Sequence, residues 1–402
     1  MKDLQGIPGY PQGVAEPLHG YREELRSPLH SRRVAREGAV APPGAAIITP
    51  DWRVLLPSGT GEQLATAAAD FARFLEVCMG THVHVEECDE DASAEKVVAL
   101  WLAPHQLPVP ESYVLDVTPE RVLIRGADAS GLQYALYELE ERMASAGGPY
   151  LAPGAVLRQP WLRHRLLRSF FSPYYKNELL GDEDYYPEEY LNRLAHHRVN
   201  GVWLHQKLRD IVPCDVFPEF GEQADVALPR LRELVARAAR YGLRVYLYLN
   251  EPRNLAADSP FWQKYPHLRG HPSASVMDDE PQTFAMCTSQ PEVLEFLRQS
   301  ARRLFEEVSG LGGVFLITAS EHHTHCFSHS RAVGDPPYEN LQCPRCRERR
   351  PSDVVVEVVA AVAEGVHSVA PEAPVIAWNW SWEGLYGRAE EHEIIRKLPA
   401  DT

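Results

Sequence analysis

The chain has 402 residues, 45% hydrophobic and 24% charged, enough apolar material for a large core. With 40 Lys plus Arg against 56 Asp plus Glu, its formal charge is −16, which argues against bulk binding to nucleic acid or to an anionic membrane. No apolar run is long enough to span a bilayer, and the N-terminus MKDLQGIPGYPQGVAEP lacks the apolar core of a signal peptide. Seven cysteines, an odd number, fit reduced thiols better than a disulfide framework, so the expected location is cytoplasmic.

Residues 1–44 are rich in Pro, Gly and charge and read as an extended lead-in. Residues 45–150 read as a small α/β domain. AAIITP and RVLLP are strand segments, and GEQLATAAADFARFLEVCMG has helical spacing with Leu64, Ala68, Phe71, Phe74 and Leu75 on one side. HVHVEE alternates like a strand, and its two histidines fit a sheet face better than a ligand pair. KVVALWLA reads as a buried strand. YVLDVTPERVLIRG is a hairpin turning at Thr-Pro-Glu, and ASGLQYALYELEERMAS a helix with Ser130 as its expected cap. GGPYLAPGA is a linker.

From Trp161 the pattern becomes strand, then helix, repeatedly. HRLLRSFF, NGVWLH, LRVYLYLNEP, GGVFLITASE and APVIAWNWSWEG are the strands. Amphipathic segments such as PEEYLNRLAHHR and PEVLEFLRQSARRLFEEVSG alternate with them. Such alternation specifies a parallel sheet covered on both faces. The leading architecture for residues 161–402 is a partial TIM-type (β/α)₈ barrel, whose usual length is ~250 residues. Only five units are read, so the barrel is expected to be truncated, with long insertions after the third and fourth strands. A five-stranded doubly wound sheet is the alternative, weakened because no glycine-rich phosphate loop follows the first strand.

In a barrel the loops after the strands form the active face. They hold Arg168, Tyr174 and Tyr175 after the first strand, His205 after the second, and Asn250 and Glu251 after the third. The fourth adds Ser320, Glu321, His322 and His323, and the fifth Trp378, Asn379, Trp380, Trp382 and Glu383. Carboxylates, amides and indoles on one rim suit a sugar, with rings covering its apolar faces and polar groups reading its hydroxyls. Glycosidic cleavage needs an acid for the leaving oxygen and a second group at the anomeric carbon. Glu321 is the candidate acid, and Glu251 or Glu383 the candidate second carboxylate. Each has a plainer reading as a rim residue or ion-pair partner. If alternate indoles 378, 380 and 382 point inward they floor a pocket, the favoured reading because Asn379 would otherwise be buried without an obvious partner; if outward, they pack under helices.

Cys343-Pro-Arg-Cys346 has CxxC spacing. Cys326, with His325 or His329, could complete a tetrahedral Zn²⁺ site of structural type, clamping the long insertion. A turn with free thiols and a redox pair are the alternatives. Cys78 and Cys287 read as ordinary buried thiols, and the acidic run at 278–280 as a solvated loop or cleft edge.

Several segments in series resemble family 20 glycoside hydrolases, the β-N-acetylhexosaminidases, over roughly residues 45–325. ESYVLDVTPERVLIRGADASGLQYALYELEERM resembles the end of that family's accessory domain, with a hairpin before a glycine-started helix. PEEYLNRLAHHRVNGVWLH and LRELVARAARYGLRVYLYLNEP resemble its first helix and second strand, and its second helix and third strand. CTSQPEVLEFLRQSARRLFEEV followed by GGVFLITASE resembles the approach to its catalytic fourth strand. That strand ends in an Asp-Glu pair in the family, and Ser320-Glu321 stands there in this chain. The resemblance implies Glu321 as general acid; a serine cannot balance the charge of an oxazolinium intermediate. The family's sugar-gripping arginine would fall near Phe171, with Arg168 as a candidate replacement.

The expected function is hydrolysis of a β-linked sugar, N-acetylated or not, with carbohydrate as the partner, no nucleic acid or membrane, and no required cofactor beyond the candidate zinc. The alternatives are a non-catalytic carbohydrate-binding scaffold and a zinc-dependent enzyme. The pattern sets neither the sugar nor the oligomeric state.

Overall fold

The structure, a computed structural model, describes residues 20–88, 94–172, 177–273, 282–320 and 322–402. It divides into two compact units. One is Met1–Arg163 with Tyr186–Arg198 and Arg240–Gly242; the other is His164–Tyr185, Val199–Ala239 and Leu243–Thr402.

The first unit is built on a six-stranded sheet. Its strands are β1 (Arg53–Leu56), β2 (His84–Glu87), β3 (Val97–Leu102), β4 (Tyr113–Val117), β5 (Arg121–Gly126) and β6 (Gly154–Arg158), in the order β2-β1-β3-β5-β4-β6. β2, β1, β3 and β5 are parallel, and β4 is antiparallel to both β5 and β6. The β4–β5 hairpin turns at Thr118–Glu120, as its sequence specifies. HVHVEE forms a strand, as its alternation suggests, and β2 is the exposed edge of the sheet. Helix α1 (Glu62–Arg73) continues as a π-helical turn, and Leu64, Ala68, Phe71, Phe74 and Leu75 are all buried.

The N-cap of helix α2 (Ala129–Ala146) lies two residues before the expected one: it is Asp128, not Ser130. Asp128 Oδ1 accepts the Gly131 N–H at 2.9 Å and Oδ2 the Glu111 N–H at 2.8 Å. Two orphan donors are satisfied by one side chain, which a serine hydroxyl cannot match. Gly131 is there because its α-carbon approaches the hairpin: a Cβ would lie 2.3 Å from the Ser112 carbonyl oxygen.

The described part of the lead-in is docked: Arg193 donates to the Glu24 and Ser27 carbonyls. Val34 and Ala35 N–H donate to the Cys78 carbonyl, and Arg36 N–H to that of Gly147. This brings His30, 6% exposed, into a buried group with Asp70, Glu140 and His196. His30 Nε2 lies 3.2 Å from Asp70 Oδ2 and 3.3 Å from Glu140 Oε2, and His196 Nε2 lies 3.0 Å from Glu140 Oε2. The group borders a cavity of about 530 Å³. Burial alone would lower the His30 pKa. Its hydrogen bonds and charge attraction to Asp70 and Glu140 outweigh that and raise it from 6.5 to about 10.

The linkage has a definite sign. A raised histidine pKa contributes stability that is complete below 6.5 and lost as pH rises toward 10. Asp70, for which burial is outweighed by His30 and His196, is held below its usual value, and its contribution is lost in acid. The first unit therefore melts progressively lower from neutral pH to pH 10, and His30→Gln flattens that limb in calorimetry. An unchanged alkaline slope in the variant would show that His30 carries no net charge in the fold.

The second unit carries five parallel strands: β7 (Leu166–Arg168), β8 (Gly201–Gln206), β9 (Arg244–Leu249), β10 (Gly313–Ile317) and β11 (Val375–Trp378). Their order is β7-β8-β9-β10-β11, the order of the chain. A doubly wound sheet reverses direction at a switch point; this one does not, which removes that alternative. Among the described residues the five strands form an open sheet, not a closed eight-stranded barrel. β10 is buried along its whole length and β9 all but its first residue, as covered central strands must be. One side is aliphatic: Val202, Leu204, Val245, Leu247, Val314 and Leu316.

Helices α4 (Ala224–Ala239), α5 (Pro291–Glu307) and α6 (Pro351–His367) follow the strands, the first-unit segment Glu188–His196 being α3. α4 packs on β9, α6 on β11 and α5 on α6. α5 buries Val293, Phe296, Leu297, Ser300, Ala301, Leu304 and Phe305, the i, i+3, i+4 stripe of an amphipathic helix. The third-strand insertion holds a small antiparallel sheet absent from the sequence reading, with Thr283–Met286 between Leu255–Ala256 and Arg269–Pro272. The fifth strand also ends sooner than expected. It stops at Trp378, and Trp382–Tyr386 form a short helix, α7, before α8 (Arg388–Lys397). No helix among the described residues is long and apolar enough to cross a membrane.

Candidate active face at the strand ends

Strand register decides which side chains share the second face of the β7–β11 sheet. Arg168 pairs with Trp203 and Trp203 with Tyr246; His205 pairs with Tyr248, Tyr248 with Phe315, and Ile317 with Trp378. Partners in register point the same way, so this face is aromatic where its reverse is aliphatic. Tyr248 and Phe315 stack at 5.0 Å between centroids, and Trp203 meets both edge-on at 5.7 and 5.3 Å. Trp378 lies 6.2 Å from Phe315 and 5.6 Å from Trp380. Trp378 and Trp380 are 44% and 59% exposed, so their ring faces are open to a ligand.

Polar groups converge at the C-terminal ends. Arg168 Nε donates to Glu178 Oε1 at 3.1 Å, and its guanidinium lies 5.3 Å from the Trp203 ring centroid. Glu178 also accepts the His205 N–H at 2.9 Å and the Ser172 hydroxyl. Burial pushes the Glu178 pKa up despite those partners. Glu178 was not read from the sequence; it sits in a loop of acidic residues with no spacing to mark it, and only the folded chain brings it beneath Arg168. Phe171, near which the resemblance put a sugar-gripping arginine, is a core residue 1% exposed, and Arg168 lies on the aromatic face, in register with Trp203.

His205 stacks on His322 at 5.2 Å and lies 4.8 Å from Tyr248. Burial, then the nearby His322 and Arg253, lower its pKa to about 3, so its ring is neutral near pH 7. Arg253 Nη2 lies 2.7 Å from His322 Nδ1. The guanidinium can only donate, so Nδ1 accepts and the His322 proton sits on Nε2. Ser320 Oγ accepts the His322 N–H at 3.1 Å, which ties the serine to its own turn.

The three candidate carboxylates have different fates. Glu321 lies outside the described residues, as do Tyr174, Tyr175 and the acidic run 278–280. Glu251 is 1% exposed, and its oxygens accept the Leu208 N–H at 2.7 Å and the Arg253 N–H at 3.1 Å. It holds the two loops after β8 and β9 together instead of facing a ligand. Glu383 is exposed on α7 and paired with Arg388 at 3.0 Å. Asn250 is likewise buried at 1%, donating to Tyr248 Oη at 2.9 Å and to the Ile317 carbonyl at 3.0 Å. Asn379 is exposed and donates to Glu391 at 2.7 Å, so it is not the buried amide that favoured three inward indoles. Trp382 is the exception among them: 1% exposed, it points into the core.

Burial raises the Glu251 pKa from 4.5 to about 7, against the pull of its two N–H donors. A raised carboxylate pKa means that its stabilising contribution is fully present below 4.5 and lost as pH climbs through 7. The second unit is therefore expected to lose stability over that window, and Glu251→Gln to remove the pH dependence. The measurement is denaturant midpoint against pH; a parallel slope in the variant excludes Glu251 as its source.

Farther along the loops, Cys343 and Cys346 meet Cys326, as their spacing suggested, and a fourth thiol, Cys287. Cys287 thus stands where His325 or His329 was expected, and is not the ordinary core thiol read from its apolar neighbours. No short-range spacing links it to the others; it lies 39 residues before Cys326 in the sequence.

No family model matches the chain, and no curated protein does. Solved structures do. The chain is similar to a GH138 enzyme targeting pectin rhamnogalacturonan II, at 14% identity and a TM-score of 0.52, over 81% of this chain and 44% of that one. It is similar to the GH20 β-N-acetylhexosaminidase of Streptomyces coelicolor A3(2), at 17% identity and a TM-score of 0.52, covering 92% of this chain and 73% of that one. The β-N-acetylhexosaminidase of Bacteroides fragilis follows at 16% and 0.51, with 89% and 72% covered. The chain thus spans less than half of the first of these proteins and about three quarters of the second. At such identities what is shared is the architecture, and this chain has a glycoside-hydrolase-like fold.

Proposed function

We propose that the aromatic strand-end face binds a carbohydrate and that the protein hydrolyses a β-glycosidic bond, with Glu321 as the general acid. The observation that carries this reading is the exposed pair Trp378 and Trp380 at the end of β11, on the sheet face whose strand ends also hold Arg168 and His205, with His322 stacked on His205. Indole rings cover apolar sugar faces, and imidazole and guanidinium groups read hydroxyls. Five parallel strands in chain order support reading the sheet as part of a (β/α)₈ wall, a fold whose reactions occur at this end of the strands. Ser320 in place of a carboxylate favours a sugar whose cleavage does not lean on an acetamido group.

Turnover of 4-nitrophenyl β-glycosides, with and without a 2-acetamido group, tests the reading. A second reading is a sugar-binding protein without turnover. It is favoured by the placement of Glu251 and Glu383, neither of which is presented beside the aromatic row as a second carboxylate. Heat of binding without release of nitrophenol selects it; neither heat nor release removes both.

A further inference from the structure

We infer that Cys287, Cys326, Cys343 and Cys346 hold a structural Zn²⁺ ion. The inference stands on its own residues and does not depend on the sugar reading.

The four thiols come from three separate stretches of chain. Cys287 directly follows the strand Thr283–Met286, Cys326 lies in the loop after β10, and Cys343 and Cys346 share one turn. All four are buried, at 0–1% exposure. Their sulfurs all lie within 4.8 Å of one another, and Cys287 Sγ is 3.6 Å from both Cys343 Sγ and Cys346 Sγ. Disulfide sulfurs would be ~2.05 Å apart, and all four cysteines are free. Four sulfurs at ~2.3 Å around a tetrahedral zinc ion stand ~3.8 Å from one another, which the observed spacing brackets.

The surroundings suit thiolates. The His271 N–H lies 3.4 Å from Cys326 Sγ, Arg345 Nε 3.3 Å from Cys287 Sγ, and Ser289 Oγ 3.3 Å from Cys346 Sγ. Donors aimed at sulfur are what ligating thiolates need from their neighbours. Zn²⁺ with four thiols gives a [Zn(SR)₄]²⁻ centre and releases four protons to solvent. The Arg345 guanidinium offsets part of that charge. Gly270 is built for the site, since a Cβ there would fall 2.6 Å from Cys326 Sγ.

The ion also answers a structural need. Between β10 and α6 the described residues of 318–350 contain neither helix nor strand, an unusual length of loop inside a packed unit. The four-thiol centre would pin that loop to the small sheet before Cys287. The same loop carries Ser320 and His322, so the ion would also help to hold the polar groups that follow β10. Four thiolates leave no open coordination position, so the centre is structural and not the site of a zinc-dependent reaction.

Metal analysis of the full chain, purified without chelator, tests this directly. One zinc per chain is expected. Mercurial titration of the thiols should release it in step with loss of four of the seven cysteines, leaving Cys78, Cys88 and Cys214 outside the count. His325→Ala and His329→Ala should retain the full equivalent, whereas Cys343→Ser should lose it. Should Cys343→Ser fail to fold, Co²⁺ exchange into the native chain gives the second readout: intense sulfur-to-cobalt charge-transfer bands and tetrahedral d–d bands. A metal-free chain with seven alkylatable thiols, two disulfides by mass spectrometry, or iron in place of zinc overturns the inference. None of these readouts involves sugar turnover, so failure here leaves the hydrolase reading untouched, and the reverse.

Discussion

Glu321→Gln should lower the hydrolysis of a β-glycoside with a poor leaving group by about 10²–10⁴-fold, the share that general acid catalysis supplies, or roughly 3–5 kcal/mol of transition-state stabilisation. The deficit should shrink for a 2,4-dinitrophenyl leaving group, which departs without a proton. The melting temperature and the affinity for product sugar should stay near those of the parent chain. Ser320 and His322, on either side of residue 321, follow the end of β10, and His322 stacks on His205. Glu251→Gln, by contrast, should act mainly on stability, because both Glu251 oxygens are occupied by backbone donors. If Glu321→Gln retains full turnover on the poor leaving group, residue 321 is not the acid. If Glu251→Gln loses turnover while folding normally, the acid is Glu251.

Trp382→Ala should destabilise the second unit by about 3–5 kcal/mol, the usual cost of emptying a buried aromatic site. Trp380→Ala should change stability by no more than about 0.5 kcal/mol and weaken sugar binding instead. The two indoles are two residues apart in AWNWSWEG, yet Trp382 is 1% exposed and Trp380 59%. Trp382 Nε1 donates to Thr318 Oγ1 at 2.9 Å, tying α7 to the end of β10. Trp382→Phe should fill the space but lose that bond, at about 1–3 kcal/mol for the hydroxyl left unpartnered. Thermal melts and sugar calorimetry on the three variants measure the contrast. A stable Trp382→Ala, or an unfolded Trp380→Ala, would reverse the assignment of the two rings.

That pair also shows where reading residues in order reaches its limit. A strand pattern carried through residue 382 puts positions 378, 380 and 382 on one face. The strand ends at Trp378, and the helical turn at Trp382–Tyr386 swings the third indole into the core. Alternation is a property of extended backbone, so an error of a few residues in where a strand ends changes the side to which a ring belongs. The buried placement of Glu251 and Asn250 has a similar origin. Their positions after β9 were legible, but whether their polar atoms meet solvent or the N–H groups of a neighbouring loop depends on loops that local pattern does not describe.

Local pattern by itself determined the strand–helix alternation, the parallel sheet, the β4–β5 hairpin and the apolar stripe of α1, because these follow from residue periodicity and turn chemistry over short windows. It also placed Arg168 and His205 near the ends of their strands, since a strand's C-terminus lies near where its apolar run stops. Only the tertiary structure decided that Glu178 lies under Arg168, that His30 joins Asp70, Glu140 and His196, and that Cys287 completes the four-thiol group. Each of these joins residues distant in sequence, at least ten apart, through packing and strand register, and no spacing along the chain carries that information.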